Sequence, residues 1–181
     1  MDDSRSTAGF GCAKGSNEEA YLFQKLVRTG FRNNNVDHCT RLCHASSVVA
    51  LLEMIGSGAV SNQVADVAEA ETIIVIGANP TVNHPVAATF IKNAAKAGKN
   101  LIVLDPRKND LARHATHYLQ FKPDTDVALL NAIMKSIIDQ NLMDEKFINE
   151  RTTDFDDLKT HLDDFTPEKM SSICGIDADV I

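Results

Sequence analysis

Short apolar runs alternate with longer amphipathic segments through the middle of the chain. Two β-branched runs, residues 72–77 (TIIVIG) and 100–104 (NLIVL), have the composition of fully buried strands, and residues 117–121 predict a third, shorter strand. The alanine-rich segment 86–97 and the amphipathic segment 126–140 predict the helices that follow the first and third strands. Because strands and helices alternate with short loops, the pattern predicts a parallel sheet with right-handed connections and flanking helices, a Rossmann-like α/β unit.

Helices are predicted on both sides of this unit as well. Ser16 and Glu19 have the spacing of a capping box, which starts a helix that ends near Gly30. A loop at residues 33–35 precedes a second helix at residues 46–55, which Gly56 and Gly58 close. Further helices are predicted at residues 108–114, 144–150, 154–162 and 166–174. In the helix 126–140, the positions predicted to form the apolar face are Val127, Leu130, Ile133, Met134, Ile137 and Ile138.

Composition and charge exclude several classes of protein. Hydrophobic residues make up 44% of the 181 positions and charged residues 24%, as in a globular protein with a core. The net charge of -7 argues against a nucleic-acid partner, and no apolar run approaches the roughly 18 residues that membrane insertion needs. The acidic, polar segment 1–7 is not a secretory signal, and the four cysteines match no secreted disulfide framework. We therefore expect reduced thiols and a cytoplasmic location.

Three loops follow the predicted strands, at residues 77–80, 105–107 and 122–126. The carboxyl ends of parallel strands meet at one edge of a sheet, where open α/β folds bind their ligands. At the first loop, Gly77 lets a backbone approach a phosphate closely, and Asn79 offers both a donor and an acceptor.

The two later loops carry charged side chains that suit a nucleotide. Asp105 stands where a dinucleotide fold keeps an acid for ribose hydroxyls, and the guanidinium of Arg107 can donate two hydrogen bonds to a phosphate. Asp124 and Asp126 can accept from the N–H edge of a guanine. Each loop also has a purely structural interpretation: a turn at Gly77, a turn at Asp105, and an N-cap at Asp126. The glycine-rich pattern of nicotinamide enzymes is absent, so the sequence does not predict a simply bound NAD.

A second group of reactive side chains lies at residues 36–44 (VDHCTRLCH). The set Cys39, Cys43 and His44 is compatible with a zinc site, but it offers three ligands and no second cluster follows. Spacing alone favours a different interpretation, a buried cysteine beside a surface histidine. Cys43 leads into a predicted helix N-terminus, where N–H groups and the helix dipole favour a thiolate. A thiolate beside His44 is a usable metal ligand with a proton acceptor next to it.

These stretches together resemble the molybdopterin-dependent formate dehydrogenases. Residues 33–47 (NNNVDHCTRLCHASS) are similar to the active-site stretch of that family, in which a cysteine or selenocysteine followed by histidine binds molybdenum. Further similar segments occur in the same order as in that family, so the resemblance covers about residues 7–181. Their sequences are most similar to the soluble, NAD-linked branch of the family. These segments are residues 13–21 (AKGSNEEAY), 77–85 (GANPTVNHP), 104–108 (LDPRK) and 126–132 (DVALLNA).

The resemblance implies a cofactor and a set of residues that hold it. The family carries molybdenum in a bis(molybdopterin guanine dinucleotide), so the resemblance makes Cys43 the metal ligand and His44 the adjacent proton-handling residue. The positions that it implies along one guanine dinucleotide arm are Gly77, Asn79, Asp105, Pro106, Arg107, Asp124 and Asp126. Lys14, in the loop before the first helix, is expected to contact the cofactor too.

The resemblance also implies that the chain is an internal fragment of a large subunit with the formate dehydrogenase/dimethyl sulfoxide reductase-like fold. Residues 1–36 would end a neighbouring α/β domain, and residues 37–181 would form a Rossmann-like cofactor domain truncated at its carboxyl end. The chain stops four residues after Asp177, where a helix is expected to begin. A four-iron–four-sulfur cluster is expected in the missing amino-terminal part and none in this fragment, because no cysteine precedes Cys12.

The implied activity is the oxidation of formate to carbon dioxide, with iron–sulfur, flavin or NAD-linked electron-transfer subunits as partners of the full enzyme. We expect the isolated fragment to be inactive, because part of the cofactor cage is missing. Three alternatives remain open at this point. They are a nitrate reductase, whose cysteine generally lacks the following histidine; a non-catalytic relative such as the large subunit of respiratory complex I; and a plain nucleotide-binding module with structural cysteines.

Overall fold

The structure is a computed structural model that describes residues 6–181. Residues 1–5 of the acidic, polar segment 1–7, which is not predicted to be a secretory signal, lie outside the described residues. The chain divides into two compact units, Met1–Asn62 and Gln63–Ile181, which are called the first and second unit below. The domain boundary predicted between residues 36 and 37 falls inside a strand of the first unit, and it remains a prediction about a longer protein.

The first unit pairs two short parallel strands beside helices. Its elements in chain order are β1 (Gly9–Gly11), α1 (Asn17–Lys25) with a π-helical turn (Leu26–Gly30), β2 (Val36–His38), α2 (Thr40–Cys43) and α3 (Ala45–Ile55). The predicted capping box starts α1: the hydroxyl of Ser16 accepts from the backbone N–H of Glu19, whose carboxylate accepts from the N–H of Ser16. A Cβ at Gly9 would lie 2.6 Å from a methyl group of the buried Val27, so only glycine allows this close packing on β1.

The second unit contains the predicted Rossmann-like sheet. Its elements are a 3₁₀ turn (Val64–Ala68), β3 (Thr72–Ile76), α4 (Pro80–Asn83), α5 (Pro85–Lys96), β4 (Asn100–Leu104), a 3₁₀ turn (Asp110–His114), β5 (His117–Leu119), α6 (Asp126–Asp139), α7 (Glu145–Arg151), α8 (Phe155–Leu162), α9 (Pro167–Cys174) and a 3₁₀ turn (Ala178–Val180). The strands pair in the order β3-β4-β5 and all are parallel, as the sequence predicts. None of the helices between residues 6 and 181 is long and apolar enough to cross a membrane.

Helices cover both faces of the central strand β4. Leu104 belongs to a buried cluster with Leu129 of α6 and Cys174 of α9, whereas Leu101 and Val103 belong to a cluster that includes residues of α5 and the 3₁₀ turn 110–114. This division follows the alternation of side chains along a strand. The prediction of full burial is wrong for β3, where the side chain of Ile74 is 58% exposed. Among the described strands β3 lies at one edge of the sheet, so it has a strand neighbour on one side only.

The predicted core face of α6 also needs correction. The fully buried residues of α6 are Leu129 and Ala132, while Val127 is 69% exposed and Leu130, Met134 and Ile137 are each more than a third exposed. Ala132 carries a single methyl group, which suits the close packing of α6 against α8 and α9. Because α6 has apolar residues on two sides, hydrophobic periodicity alone does not identify the buried side.

Candidate functional site

The loops after β3 and β4 leave the sheet on the same edge. The N–H of Gly77 donates to the carbonyl of Leu104 at 2.9 Å, and the N–H of Asp105 donates to that of Leu119 at 3.2 Å. These two bonds continue the parallel ladders one step beyond the strands. The sequence-predicted residues Gly77 and Asp105 therefore share the carboxyl edge of the sheet, together with the residues that follow them.

Gly77 opens the first of these loops with a backbone that suits glycine. Its φ is +58°, and nothing lies within 4 Å of the position where a Cβ would stand. Asn79 stands at the N-cap position of the short helix α4 without making a side-chain capping bond, and its side-chain oxygen accepts from the hydroxyl of Thr81 at 2.6 Å. The positive φ of Gly77 fits a turn, and the space beside its backbone is open, so the turn and the ligand-binding interpretations both stay predictions.

Asp105 is held by its own loop and by a neighbouring side chain. One carboxylate oxygen accepts from the N–H of Arg107 at 2.7 Å, which supports the turn interpretation of this residue. The other oxygen accepts from the side-chain amide of Asn109 at 3.4 Å. A carboxylate has about four lone-pair positions, so Asp105 keeps capacity for further donors such as hydroxyl groups.

Two cationic side chains stand at the same edge. Arg107 is exposed, and within residues 6–181 its guanidinium makes no hydrogen bond or ion pair. The ammonium of Lys108 lies 6.0 Å from the centroid of the Tyr118 ring. Pro106 contributes its carbonyl oxygen to a hydrogen bond from the side-chain amide of Gln120 at 2.9 Å. The edge therefore offers an exposed guanidinium two positions from a carboxylate.

The third loop, between β5 and α6, carries the two predicted aspartates. Asp124 adopts a left-handed backbone with φ +64°, and Asp126 is the first residue of α6. Thr125 is the N-cap residue, so the interpretation of Asp126 as an N-cap is wrong. The hydroxyl of Thr125 donates to the carbonyl of Lys122 at 2.6 Å instead of capping the helix.

Cys43 and His44 lie in the first unit, at the junction between α2 and α3. Cys43 is the last residue of α2, and His44 is the N-cap residue of α3. The Sγ of Cys43 lies 3.7 Å from the Nε2 of His44, and both side chains are exposed. The interpretation of Cys43 as a buried, inert residue is therefore wrong.

The surroundings of this pair separate Cys39 from Cys43. Cys39 is also exposed, but its Sγ accepts from the backbone N–H of Ala13 at 3.1 Å. Lys14 lies in the same turn as Ala13, between β1 and α1, and is exposed. Cys174, in contrast, is fully buried in the core of the second unit.

The described residues do not assemble a protein-only metal site. Between residues 6 and 181, no three side chains of histidine, cysteine, aspartate or glutamate converge in a way that could hold a metal ion. The zinc interpretation of Cys39, Cys43 and His44 therefore has no support in the geometry. A metal at Cys43 would take one ligand from this part of the chain.

The residues that hold the sheet-edge loops together were not predicted from the sequence. The side-chain amide of Asn109 donates to the carbonyl of Ala78 at 3.2 Å as well as to Asp105, and its oxygen accepts from the N–H of Leu111. The hydroxyl of Tyr118 donates to the carbonyl of Asp105 at 3.0 Å. The signal for Asn109 was its preference for helix N-caps, but residue 109 fell inside a helix predicted to begin at residue 108.

The surroundings of Tyr118 at this edge shift its pKa. The pKa of Tyr118 is raised above its ordinary value of 10.0, mainly because the hydroxyl is partly removed from water and also because Asp105 is negatively charged. Both effects disfavour the phenolate. Tyr118 therefore stays a hydrogen-bond donor to the Asp105 loop throughout the neutral range.

Comparison with known proteins gives one family. Residues 2–175 match the molybdopterin oxidoreductase family. The chain is 43% identical over 172 residues to the F420-dependent formate dehydrogenase 1 subunit alpha of Methanococcus maripaludis, covering 95% of this chain and 26% of the relative. It is 37% identical over 172 residues to formate dehydrogenase H of Escherichia coli, covering 94% of this chain and 24% of the relative. The chain thus spans about a quarter of the length of these relatives.

A solved structure with the same fold is the acetylene hydratase of Pelobacter acetylenicus. The TM-score is 0.77, and the match covers 97% of this chain and 24% of that chain. At 24% sequence identity the likeness concerns the fold alone. The predicted α/β architecture with parallel sheets and flanking helices is confirmed.

Proposed function

The chain belongs to the molybdopterin oxidoreductase family, and we propose that it is an internal part of a formate dehydrogenase catalytic subunit in which Cys43 is the protein ligand of molybdenum. The observation that carries the proposal is the exposed pair of Cys43 and His44, with Sγ and Nε2 3.7 Å apart. Relatives whose names contain formate dehydrogenase, at about 40% identity over nearly the whole chain, support formate as the substrate.

Cys43 and His44 in the first unit fit a metal ion whose other ligands come from a cofactor. A soft thiolate is a suitable ligand for a metal of this kind, and Cys43 offers one without a partner cysteine bonded to it. Since no third ligand converges on Cys43 and His44 within residues 6–181, the remaining ligands would have to come from elsewhere. A pterin cofactor that carries its own metal ligands meets that requirement.

The donor set of the second unit fits a guanine dinucleotide arm. Open space beside Gly77 admits a phosphate close to the backbone, and the unpaired guanidinium of Arg107 supplies a positive charge. The carboxylate of Asp105 retains acceptors for ribose hydroxyls, while Asp124 and Asp126 suit the N–H edge of guanine. Asn79, Pro106 and, in the first unit, Lys14 complete the proposed cofactor contacts.

The chemistry divides between the cofactor and the chain. When bound, the cofactor would supply the metal that accepts two electrons as formate becomes carbon dioxide and a proton. Cys43 would fix the position of that metal through Sγ. His44 would take or relay the proton at Nε2, because a neutral imidazole nitrogen can accept a proton.

The electron path belongs to the proposal as well. We propose electron-transfer subunits as partners, in keeping with relatives that are named alpha subunits. The names of three relatives specify F420, so the NAD-linked acceptor that the sequence suggested stays a prediction. A cytoplasmic location and an iron–sulfur cluster in another part of the longer protein are predictions of the same kind.

Analysis of the purified full-length protein tests the proposal. We expect molybdenum and guanine nucleotide to be released together on denaturation, and formate to reduce an artificial electron acceptor. A protein with guanine nucleotide but no molybdenum would support a non-catalytic module. A molybdenum-loaded protein that reduces nitrate and leaves formate unchanged would instead support the nitrate reductase alternative.

A further inference from the structure

Cys12 and Cys39 occupy the next matched positions beyond a parallel strand pair. In β1 and β2, Gly9 pairs with Val36, Phe10 with Asp37 and Gly11 with His38. One more step along both chains brings Cys12 opposite Cys39, and the N–H of Cys39 still donates to the carbonyl of Gly11 at 3.2 Å. Neighbouring strands lie about 4.8 Å apart. Disulfides span Cα separations of about 4.4–6.8 Å, so this pairing is within reach.

A direct contact places the sulfur of Cys39 beside the backbone of Cys12. The Sγ of Cys39 accepts from the N–H of Ala13 at 3.1 Å. Because that nitrogen is about 2.4 Å from the Cα of Cys12 across one peptide unit, the Sγ of Cys39 lies no farther than about 5.5 Å from that Cα. The two residues are 27 positions apart in sequence, yet their Cα atoms lie on adjacent, hydrogen-bonded segments of the chain.

Both thiols are open to reagents. Cys12 and Cys39 are free and exposed, whereas Cys174 is buried. Gly15 donates its N–H to the carbonyl of Cys12 at 3.2 Å, so Cys12 lies at the start of a closed turn. Backbone hydrogen bonds therefore hold the chain next to each thiol, and each side chain can rotate about χ1.

We propose that Cys12 and Cys39 form a thiol-pair oxidation site that closes to an intramolecular disulfide when a small disulfide such as oxidised glutathione is present. One protein thiolate attacks a sulfur of the oxidant, releases one molecule of reduced glutathione and forms a mixed disulfide. The second protein thiol attacks that mixed disulfide and releases the second glutathione. Two protein thiols are oxidised, one glutathione disulfide is reduced to two thiols, and the two thiol protons of the protein pass to the released glutathiones.

The proposed disulfide would join the turn that contains Lys14 to the segment that begins α2. Lys14 lies two residues beyond Cys12, and the carbonyl of Cys39 accepts the N–H of Cys43 at 3.0 Å. Oxidation would therefore restrain the turn that contains Lys14 against the start of α2. The proposal itself concerns the formation of the bond and does not depend on formate oxidation.

Trypsin digestion of the intact protein tests the proposal directly. Cleavage after lysine and arginine leaves Cys12 in peptide 6–14, Cys39 in peptide 33–41 and Cys43 in peptide 42–92. After incubation with oxidised glutathione and blocking of free thiols, mass spectrometry should find peptides 6–14 and 33–41 joined by a disulfide. Treatment with a reductant should release them.

Single variants provide the matched controls. Cys39→Ser should lose the joined peptides and accumulate glutathione on Cys12, and Cys12→Ser should accumulate it on Cys39. Cys174→Ser should retain the joined peptides at the level of the unaltered protein. Joined peptides 33–41 and 42–92, or mixed disulfides on both cysteines of the unaltered protein without closure, would overturn the proposal.

Discussion

The side-chain amide of Asn109 donates to the carbonyl oxygen of Ala78 at 3.2 Å and so joins the loop after β4 to the loop after β3. The same side chain caps the 3₁₀ turn through the N–H of Leu111. We expect Asn109→Ala to lower the free energy of unfolding by about 1–2 kcal/mol, because a cap and a loop hydrogen bond are both lost. Asn109→Ser keeps a capping oxygen but cannot bridge to Ala78, so its loss should be smaller. Urea denaturation of both variants measures the difference, and equal losses would contradict the bridging role.

Substitutions at Cys43, Cys39 and His44 should affect formate oxidation in the full-length enzyme to different degrees. Cys43→Ser should remove nearly all activity while the protein still folds and retains guanine nucleotide, because a hydroxyl is a poor substitute for a soft thiolate. Cys39→Ser should be milder, since a serine oxygen can still accept from the N–H of Ala13. His44→Ala should keep the metal and slow turnover by about 10²-fold if Nε2 handles the proton.

Activity per bound molybdenum decides between a ligand and a merely structural role for Cys43. If both cysteines only stabilise the fold, Cys39→Ser and Cys43→Ser should cost similar stability and leave the activity of each folded molecule unchanged. A molybdenum-loaded, active Cys43→Ser enzyme would refute the proposed function.

Gly77 and Gly98 form a matched pair for testing the sheet-edge loop. Both have positive φ, +58° and +94°, and at both positions a Cβ would meet nothing within 4 Å. Alanine at either position should cost about 1–2 kcal/mol of stability through backbone strain. Only Gly77→Ala should also reduce the guanine nucleotide content of the full-length protein, because Gly98 lies just before β4, at the opposite end of the strands. Equal nucleotide content in the two variants would argue against a cofactor contact at Gly77.

The hydrogen bond from Tyr118 to the Asp105 loop should make a pH-dependent contribution to the free energy of unfolding. Tyr118→Phe should lower the free energy of unfolding by about 0.5–1.5 kcal/mol near pH 8, because the hydrogen bond to the carbonyl of Asp105 is lost. The pKa of Tyr118 is raised in the folded protein, so the unfolded chain releases its proton first as pH rises above 10.0. The stability difference should therefore be present below pH 10 and decline above it. A difference that stays constant through this window, measured by urea denaturation at several pH values, would exclude the proposed contribution.

The isolated chain should fold without acting as an enzyme. The sheet of the second unit has clusters of buried residues on both faces, which favours independent folding. The whole chain spans only about a quarter of the length of its relatives, so the set of residues that surrounds the cofactor is expected to be incomplete. Circular dichroism should show mixed helix and strand, and an assay with formate should show no turnover. Formate oxidation by the purified chain would be the contrary result.

Sequence patterns predicted the strands of the second unit because long β-branched runs and capping residues are local signals. The strand at residues 100–104 has the predicted bounds, and the capping box of Ser16 and Glu19 forms as expected. The pairing of β1 with β2 was not predicted, since each strand has three residues and the Gly-Phe-Gly of β1 has no strand-like composition. Contacts between distant positions determine such strands, and no window of sequence contains them.

The candidate site was predictable to a similar degree. The placement of Gly77 and Asp105 on one sheet edge follows from parallel topology alone. The contribution of Asn109 did not, because it depends on the distance between its amide and a carbonyl 31 positions away. The exposure of Cys39 and Cys43 was likewise undetermined by sequence, since free cysteine is among the most often buried residue types.

The strand order β3-β4-β5 has a consequence for how the second unit is made. β4 and β5 each pair with the strand synthesised just before them, at separations of 28 residues between Thr72 and Asn100 and 15 between Ile102 and His117. Such short loops lose little entropy on closure, so strand pairing of this kind is fast for a parallel sheet. The sheet can therefore grow at one edge, because β4 and β5 each pair with a strand that was synthesised earlier.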